Sequence, residues 1–279
     1  MKKSPGAIFR ERSEFARARI RDDTRKKLIL SLVLMMALIT ALMTSAISAF
    51  AAEESNGMLK PVEVSLRDKV SLQNGAKLFV NYCMSCHSAK FMRYNRMAAD
   101  LEIPEQLVES NMIFTGGKIG DAMTTTLSKE AGEQWFGVAP PDLSLIGKLR
   151  DPEWLYGYLR SFYIDDSTET GWNNLVFPNV AMPHVLYELQ GIQKAIFNSR
   201  TDQNGNSREV FDSFELVSVG KMDADEYDHA MRDLTNFLYY MGEPARMVRI
   251  KYGIWTMLFL VVLGSLAFML KKEYWRDID

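Results

Sequence analysis

The pentapeptide Cys83-Met84-Ser85-Cys86-His87 constrains this chain more than any other feature, because it holds both cysteines and one of the three histidines. A C-x-x-C-H sequence is typical of covalent haem attachment, in which two thiols add to the porphyrin vinyl groups and the histidine binds the iron. A redox-active cysteine pair or a disulfide leaves the histidine without a role, and a zinc site would need a second pair of ligands. The motif therefore predicts one covalent haem c.

The first 51 residues have the composition of an export signal. Residues 1–27 are polar and basic, residues 28–50 are almost wholly apolar, and Ala49-Phe50-Ala51 matches the small-residue pattern of a cleavage site. The apolar run is also long enough to span a bilayer, so an uncleaved anchor is the alternative. We predict that residues 1–51 are a cleaved signal peptide and that the rest of the haem-bearing part enters the periplasm.

Charge is unevenly distributed along the chain. Residues 1–51 carry a formal net charge of +6, and the whole chain's −2 leaves −8 for residues 52–279. An acidic exported part would attract a basic protein partner and would speed its encounter at low salt. No nucleic-acid partner is expected.

The C-terminal end contains a second apolar segment. Residues 252–270 carry no charge and have aromatic residues at both ends, as expected for one transmembrane helix in contact with membrane lipid. Residues 246–251 would be a linker. Because the preceding domain is exported, residues 271–279 should be a cytoplasmic tail and the protein should lie in the inner membrane.

Between these segments, residues 52–245 predict a mainly α domain. A helix over residues 71–83 delivers the haem motif, and Gly75 within it suits a close crossing with another helix. The strongest helix prediction covers residues 224–241, with Asp223 and Glu226 as a capping box. A further aromatic helix is predicted over residues 151–163. Residues 198–223 contain an Asn-Gly turn signal and predict a short β-hairpin or extended loop.

Other segments offer groups that could complete an iron site. The free carbonyls of Pro140 and Pro141 could accept the second ring N–H of His87, although Asp142 or Ser144 as a cap for the next helix is the favoured interpretation. For the sixth iron ligand the spacing leaves three candidates open. They are Met182, His184 and His229.

In order along the chain, these motifs resemble those of the cytochrome c1 family, the haem c subunit of quinol–cytochrome c reductase, in a proteobacterial form. The resemblance rests on residues 83–88, 139–144, 179–186 and 243–244, the last pair just before a single span. It implies a class I cytochrome c-like helical haem domain with long loops. Seven residues would contact the haem: Cys83, Cys86, His87, Pro141, Arg150, Tyr156 and Met182.

The resemblance also implies a role for each of these residues. The two cysteines would form thioethers, and His87 and Met182 would be the axial ligands. Pro141 would support His87 through its backbone. Arg150 and Tyr156 would contact the haem propionates, although residues 148–152 depart from the mitochondrial pattern. The acidic insertions of mitochondrial members are not evident.

The activity implied is a one-electron relay without a catalytic site of its own. A Rieske iron–sulfur protein would reduce the haem, a periplasmic cytochrome c would receive the electron, and cytochrome b would handle the quinol in a dimeric complex of the respiratory chain. Two alternatives remain at this point. The chain could be a free-standing membrane-anchored cytochrome c serving an oxidase, or a haem-based sensor with an open sixth position.

Overall fold

The computed structural model of the chain describes residues 59–201 and 207–276. The predicted signal peptide, residues 1–51, lies outside these ranges. About half of the described residues are helical, which confirms the mainly α prediction. The described strands form two-stranded antiparallel sheets.

The helices and strands of the described residues follow one another in this order. The helices are α1 (Lys69–Leu78), a π-helical turn (Phe79–Cys83), α2 (Tyr94–Leu101), α3 (Glu105–Asn111), α4 (Lys129–Phe136), α5 (Ile146–Leu149), α6 (Pro152–Arg160), α7 (Tyr187–Gln190), α8 (Ala224–Gly242) and α9 (Arg246–Tyr274). The strands are β1 (Ala89–Arg93), β2 (Ala122–Met123), β3 (Phe162–Ile164), β4 (Trp172–Asn174), β5 (Gly191–Thr201) and β6 (Ser207–Val219).

The core forms where α1 crosses α8. Gly75 lies directly against the backbone carbonyl of Asp233, and a Cβ on Gly75 would stand 2.6 Å from the Cβ of Phe237. Only a residue without a side chain permits this approach. One turn later the rings of Phe79 and Phe237 pack with centroids 5.5 Å apart. The close crossing predicted from Gly75 is therefore confirmed.

Both helix termini at this crossing are capped by side chains. Asp68 accepts a hydrogen bond from the Ser71 amide at the start of α1, two residues before the predicted beginning. At the start of α8, the predicted capping box of Asp223 and Glu226 is present in full. These caps satisfy amides that the helices themselves cannot pair.

The predicted helix over residues 151–163 extends too far, because its last residues belong to a strand. Helix α6 ends at Arg160, and Phe162–Ile164 pairs with Trp172–Asn174 instead. The cause is Asn174, whose side chain donates to the Tyr158 carbonyl (2.8 Å) and contacts the Ser161 hydroxyl (3.1 Å). These bonds satisfy polar groups that the last turn of the helix leaves unpaired, and they favour termination of the helix there.

The hairpin is longer than predicted. Strands β5 and β6 pair from Gly191 opposite Val219 to Thr201 opposite Ser207, whereas the sequence pattern predicted only a short hairpin or a loop. The Gln193 side chain ties β5 to β3 by donating to the Phe162 carbonyl (2.7 Å), and it also donates to the Arg160 carbonyl at the end of α6 (3.2 Å). The Asn-Gly turn signal lies outside the described residues.

Helix α9 contains the predicted span. By length and composition, Val248–Tyr274 can cross a membrane, and its side chains are exposed rather than packed in the core. The predicted linker, residues 246–251, differs from the structure because these residues form the first turns of the same helix. The basic residues of this segment are compatible with helix, so no break separates the linker from the span.

Candidate haem site

The C-x-x-C-H motif begins where the helical segment ends. Cys83 is the last residue of the π-helical turn, and its carbonyl accepts bonds from the amides of Cys86 (3.1 Å) and His87 (2.8 Å). This tight turn brings two thiols and one imidazole onto a single turn of backbone. The predicted helix over residues 71–83 is thus continuous but widens to π geometry just before the motif, a change often found at functional sites.

The two thiols differ in their surroundings. Neither forms a disulfide; Cys83 is buried and Cys86 is partly exposed. Burial, together with the neighbouring Cys86, raises the pKa of the Cys83 thiol to about 12. A redox-active C-x-x-C pair needs a thiol of lowered pKa, so this environment argues against that alternative.

The imidazole of His87 is oriented by the backbone of Pro141. Its Nδ1 lies 2.8 Å from the Pro141 carbonyl oxygen. Because a carbonyl can only accept, Nδ1 carries the proton and Nε2 keeps its lone pair for a metal. Burial lowers the pKa of His87, against the opposing effects of the Pro141 carbonyl and Asp142. The neutral imidazole that iron requires is therefore favoured.

The loop that carries Pro141 is fastened to the strand after the motif. Asp142 accepts from the amides of Lys90 (3.0 Å) and Ser144 (2.9 Å), and the Ser144 hydroxyl accepts from the Phe91 amide (3.0 Å). Neither residue caps a helix, because α5 begins at Ile146 without a side-chain cap. The favoured capping interpretation was wrong, and the alternative hydrogen bond to His87 is the one observed.

Met182 lies on the loop between β4 and α7, where its sulfur accepts a hydrogen bond from α6. The Tyr158 hydroxyl is 3.3 Å from Met182 Sδ. Burial raises the pKa of Tyr158, so its hydroxyl keeps the proton that it donates. The phenol ring stacks on Trp154, with centroids 5.1 Å apart, and meets Phe162 edge-on at 5.0 Å.

The two histidines considered as alternatives to Met182 have other surroundings. His184 is buried and stacks on Phe162 at 5.0 Å, with Trp172 edge-on at 5.2 Å. Burial lowers its pKa to about 4, against a smaller opposing effect of Gln190. His229 is exposed on α8. This environment favours packing for His184, and the exposure of His229 argues against a buried ligand there.

The two residues expected at the propionates lie in different surroundings. Tyr156 is buried towards α8, where its hydroxyl donates to Asp228. Asp228 also binds Arg160 (2.9 Å) and Arg232 (2.7 Å). Arg150 is exposed, with its guanidinium carbon 4.5 Å from the centre of the Trp154 ring. A propionate contact by Tyr156 would require Asp228 to release the hydroxyl, so this role stays a prediction.

Sequence reasoning missed the ion cluster around Asp228. Its signal was the pair Asp228 and Arg232, four residues apart on a helix and therefore on one face. The partner Arg160 comes from α6 and could not be found by spacing.

The side chains of the C-x-x-C-H turn fit a covalent haem. They supply two thiols and an imidazole that Pro141 binds at Nδ1, so that Nε2 is left for the iron.

Comparison with known proteins agrees with this chemistry. The Cytochrome C1 family model matches residues 63–203. The chain is 44% identical to cytochrome c1 of Allochromatium vinosum over 91% of this chain and 99% of that protein. It is also 44% identical to an ammonia monooxygenase gamma subunit of Nitrosomonas europaea over 85% of this chain and 97% of that protein.

A third relative is a longer protein whose name combines cytochrome b and cytochrome c1. The protein is 23% identical to cytochrome b/c1 of Bradyrhizobium diazoefficiens, over 75% of this chain and 34% of that longer protein. Proteins of the matching family carry a covalent haem c. The chain therefore belongs to the cytochrome c1 family and is a membrane-anchored haem c electron-transfer subunit of complex III.

Proposed function

We propose that the chain takes single electrons from a Rieske iron–sulfur protein and passes them to a periplasmic cytochrome c. Cytochrome b oxidises the quinol in the same complex, and the complex is dimeric. Family membership supports the electron-transfer role, and the name cytochrome b/c1 of one relative supports cytochrome b as the partner. No acid–base chemistry is required of this chain.

The haem is held by Cys83 and Cys86 through thioethers, with His87 and Met182 as the iron ligands. When bound, the haem supplies a one-electron couple whose potential methionine–histidine ligation raises relative to two histidines. The protein's part is to fix these ligands and to exclude water from them. His87 is about nine-tenths buried, in keeping with that task.

The observation that carries this proposal is the hydrogen bond from His87 Nδ1 to the Pro141 carbonyl. It holds the ring in one tautomer and one orientation. Nε2 is then the ring nitrogen that remains available to a metal. The same bond increases the basicity of the imidazole towards iron.

The same proposal includes the membrane topology. Residues 1–51 are removed on export, the haem domain faces the periplasm, and residues 271–279 lie in the cytoplasm of a cell whose inner membrane holds α9. N-terminal analysis of the mature protein should find a start at or near Ala52. Persistence of residues 1–51 would instead support the uncleaved anchor.

Purification in mild detergent tests the assignment to the complex. A tagged chain should bring down a cytochrome b and a Rieske protein. Isolation alone would favour a free-standing membrane cytochrome, and isolation with an ammonia-oxidising enzyme would favour the role that the name of the Nitrosomonas europaea relative indicates. In membranes that lack the Rieske protein, quinol should no longer reduce the haem; continued reduction would contradict the proposed donor.

A further inference from the structure

The Tyr158 hydroxyl makes a contact that the ligand assignment does not use. It donates to Met182 Sδ at 3.3 Å, across 24 positions of sequence. A thioether sulfur has two lone pairs and is a weak hydrogen-bond acceptor. One lone pair can accept from Tyr158 while the other remains available to a metal, so the hydrogen bond and iron ligation are compatible.

The phenol is held rigidly in this position. Its ring stacks on Trp154 and meets Phe162 edge-on, and Trp154 is covered in turn by the Arg150 guanidinium. Two aromatic contacts therefore hold the Tyr158 ring without help from the hydroxyl, and a cation–π contact holds Trp154 in turn. Tyrosine and phenylalanine would fill this space equally, but only tyrosine can donate to Met182.

The backbone of this tyrosine is also tied to the segment that leads to Met182. The Asn174 side chain donates to the Tyr158 carbonyl (2.8 Å), and its oxygen accepts from the amides of Val176 (2.9 Å) and Phe177 (3.0 Å). The neighbouring Asn173 oxygen accepts from the Asn179 amide (2.8 Å). The two asparagines thus hold the end of α6 and the start of the Met182 loop in one arrangement.

We propose that Tyr158 is a positioning residue that tunes the haem, because its hydroxyl draws electron density from the Met182 sulfur. This inference rests on the proposed role of Met182 as an iron ligand. Ferric iron depends more on electron density from its ligands than ferrous iron does. Hydrogen bonding to the sulfur therefore disfavours the oxidised state and raises the reduction potential.

The test is a redox titration of the haem in the complete complex carrying Tyr158→Phe. The potential should fall by an amount that changes the electron-exchange equilibrium about two- to tenfold, the usual weight of one hydrogen bond. Tyr163→Phe is the matched control, because Tyr163 lies three residues beyond α6 and its ring packs on Phe197. That variant should keep the parent potential.

A double-mutant cycle shows whether the effect passes through the sulfur. In a Met182→Leu background, adding Tyr158→Phe should produce no further change in potential. An unchanged potential in Tyr158→Phe alone, or an equal fall in both backgrounds, would overturn the inference. Failure of the ligand assignment has a different signature: Met182→Leu would then leave the potential and the visible spectrum of the oxidised protein as in the parent.

Discussion

The ring of His87 and the carbonyl of Pro141 lie 2.8 Å apart, although 54 positions separate them in the chain. The proline nitrogen cannot donate, and the loop owes its position to side chains around it. Asp142 and Ser144 bind amides of the strand that follows the haem motif. The position of Pro141, and with it the support of His87, therefore depends on a small number of hydrogen bonds in this loop. Single substitutions can remove them one at a time.

Replacing Asp142 tests that support. Asp142→Ala removes the acceptor for two backbone amides and should lower the free energy of unfolding by about 1–2 kcal/mol. Asp142→Asn retains one carbonyl oxygen as an acceptor and should lower the free energy of unfolding by less. Thermal unfolding of the haem-loaded chain, followed by haem absorbance, measures both. Equal stability of the three proteins would show that the loop does not depend on these bonds.

Replacing Gly75 tests the helix crossing. A Cβ at this position would meet the Asp233 carbonyl and stand 2.6 Å from the Phe237 Cβ, so α1 and α8 would have to separate. Gly75→Ala should cost about 1–3 kcal/mol, as overpacked cores do, even though alanine favours helix.

Gly120 offers the matched control for this substitution. Nothing lies within 4 Å of a Cβ built on Gly120, so Gly120→Ala should keep the parent stability. Chemical denaturation of both variants gives the comparison. A Gly75→Ala protein as stable as Gly120→Ala would contradict the close approach of the two helices.

Asp228 should make stability depend on pH. Partial burial acts to raise the pKa of this carboxyl, but the Tyr156 hydroxyl and the charges of Arg160 and Arg232 outweigh it and hold the pKa below its usual value. A lowered pKa in the folded state stabilises the protein above the ordinary pKa of about 3.9, and this contribution is lost as the pH falls through the folded value.

Asp228→Asn should therefore destabilise the chain near pH 7, by about 1–3 kcal/mol, and progressively less below about pH 4. Asp166→Asn, at an exposed turn position, should change stability little at any pH. Thermal unfolding across this pH range distinguishes them. A loss of stability in Asp228→Asn that did not diminish in acid would assign the effect to packing rather than to charge.

How much of this could be predicted from sequence depended on the range of the interaction. The C-x-x-C-H motif, the capping box at Asp223 and the apolar C-terminal helix are local patterns, and the structure has the corresponding elements. The end of α6 was misplaced because Asn174, which terminates it, comes from a strand 13 residues beyond Ser161. Local periodicity does not report such a partner.

The same reasoning explains the parts of the site that were misjudged. A helix cap was favoured for Asp142 because its competitor, the Pro141 bond to His87, joins segments 54 residues apart. The Tyr158 contact with Met182 was missed because it joins α6 to a loop 24 positions further along the chain. The cluster of Arg160 with Asp228 likewise depends on how α6 lies against α8.

The central claim is that His87 and Met182 together ligate the iron. The visible spectrum of the oxidised, haem-loaded Met182→Leu protein tests it most directly, through the weak sulfur-to-iron charge-transfer band at the red end of the spectrum. Met84→Leu is the control, because Met84 is a buried methionine inside the haem motif whose sulfur faces the Tyr94 hydroxyl. We predict that the band disappears in Met182→Leu and remains in Met84→Leu. A band that persists in Met182→Leu would contradict the account.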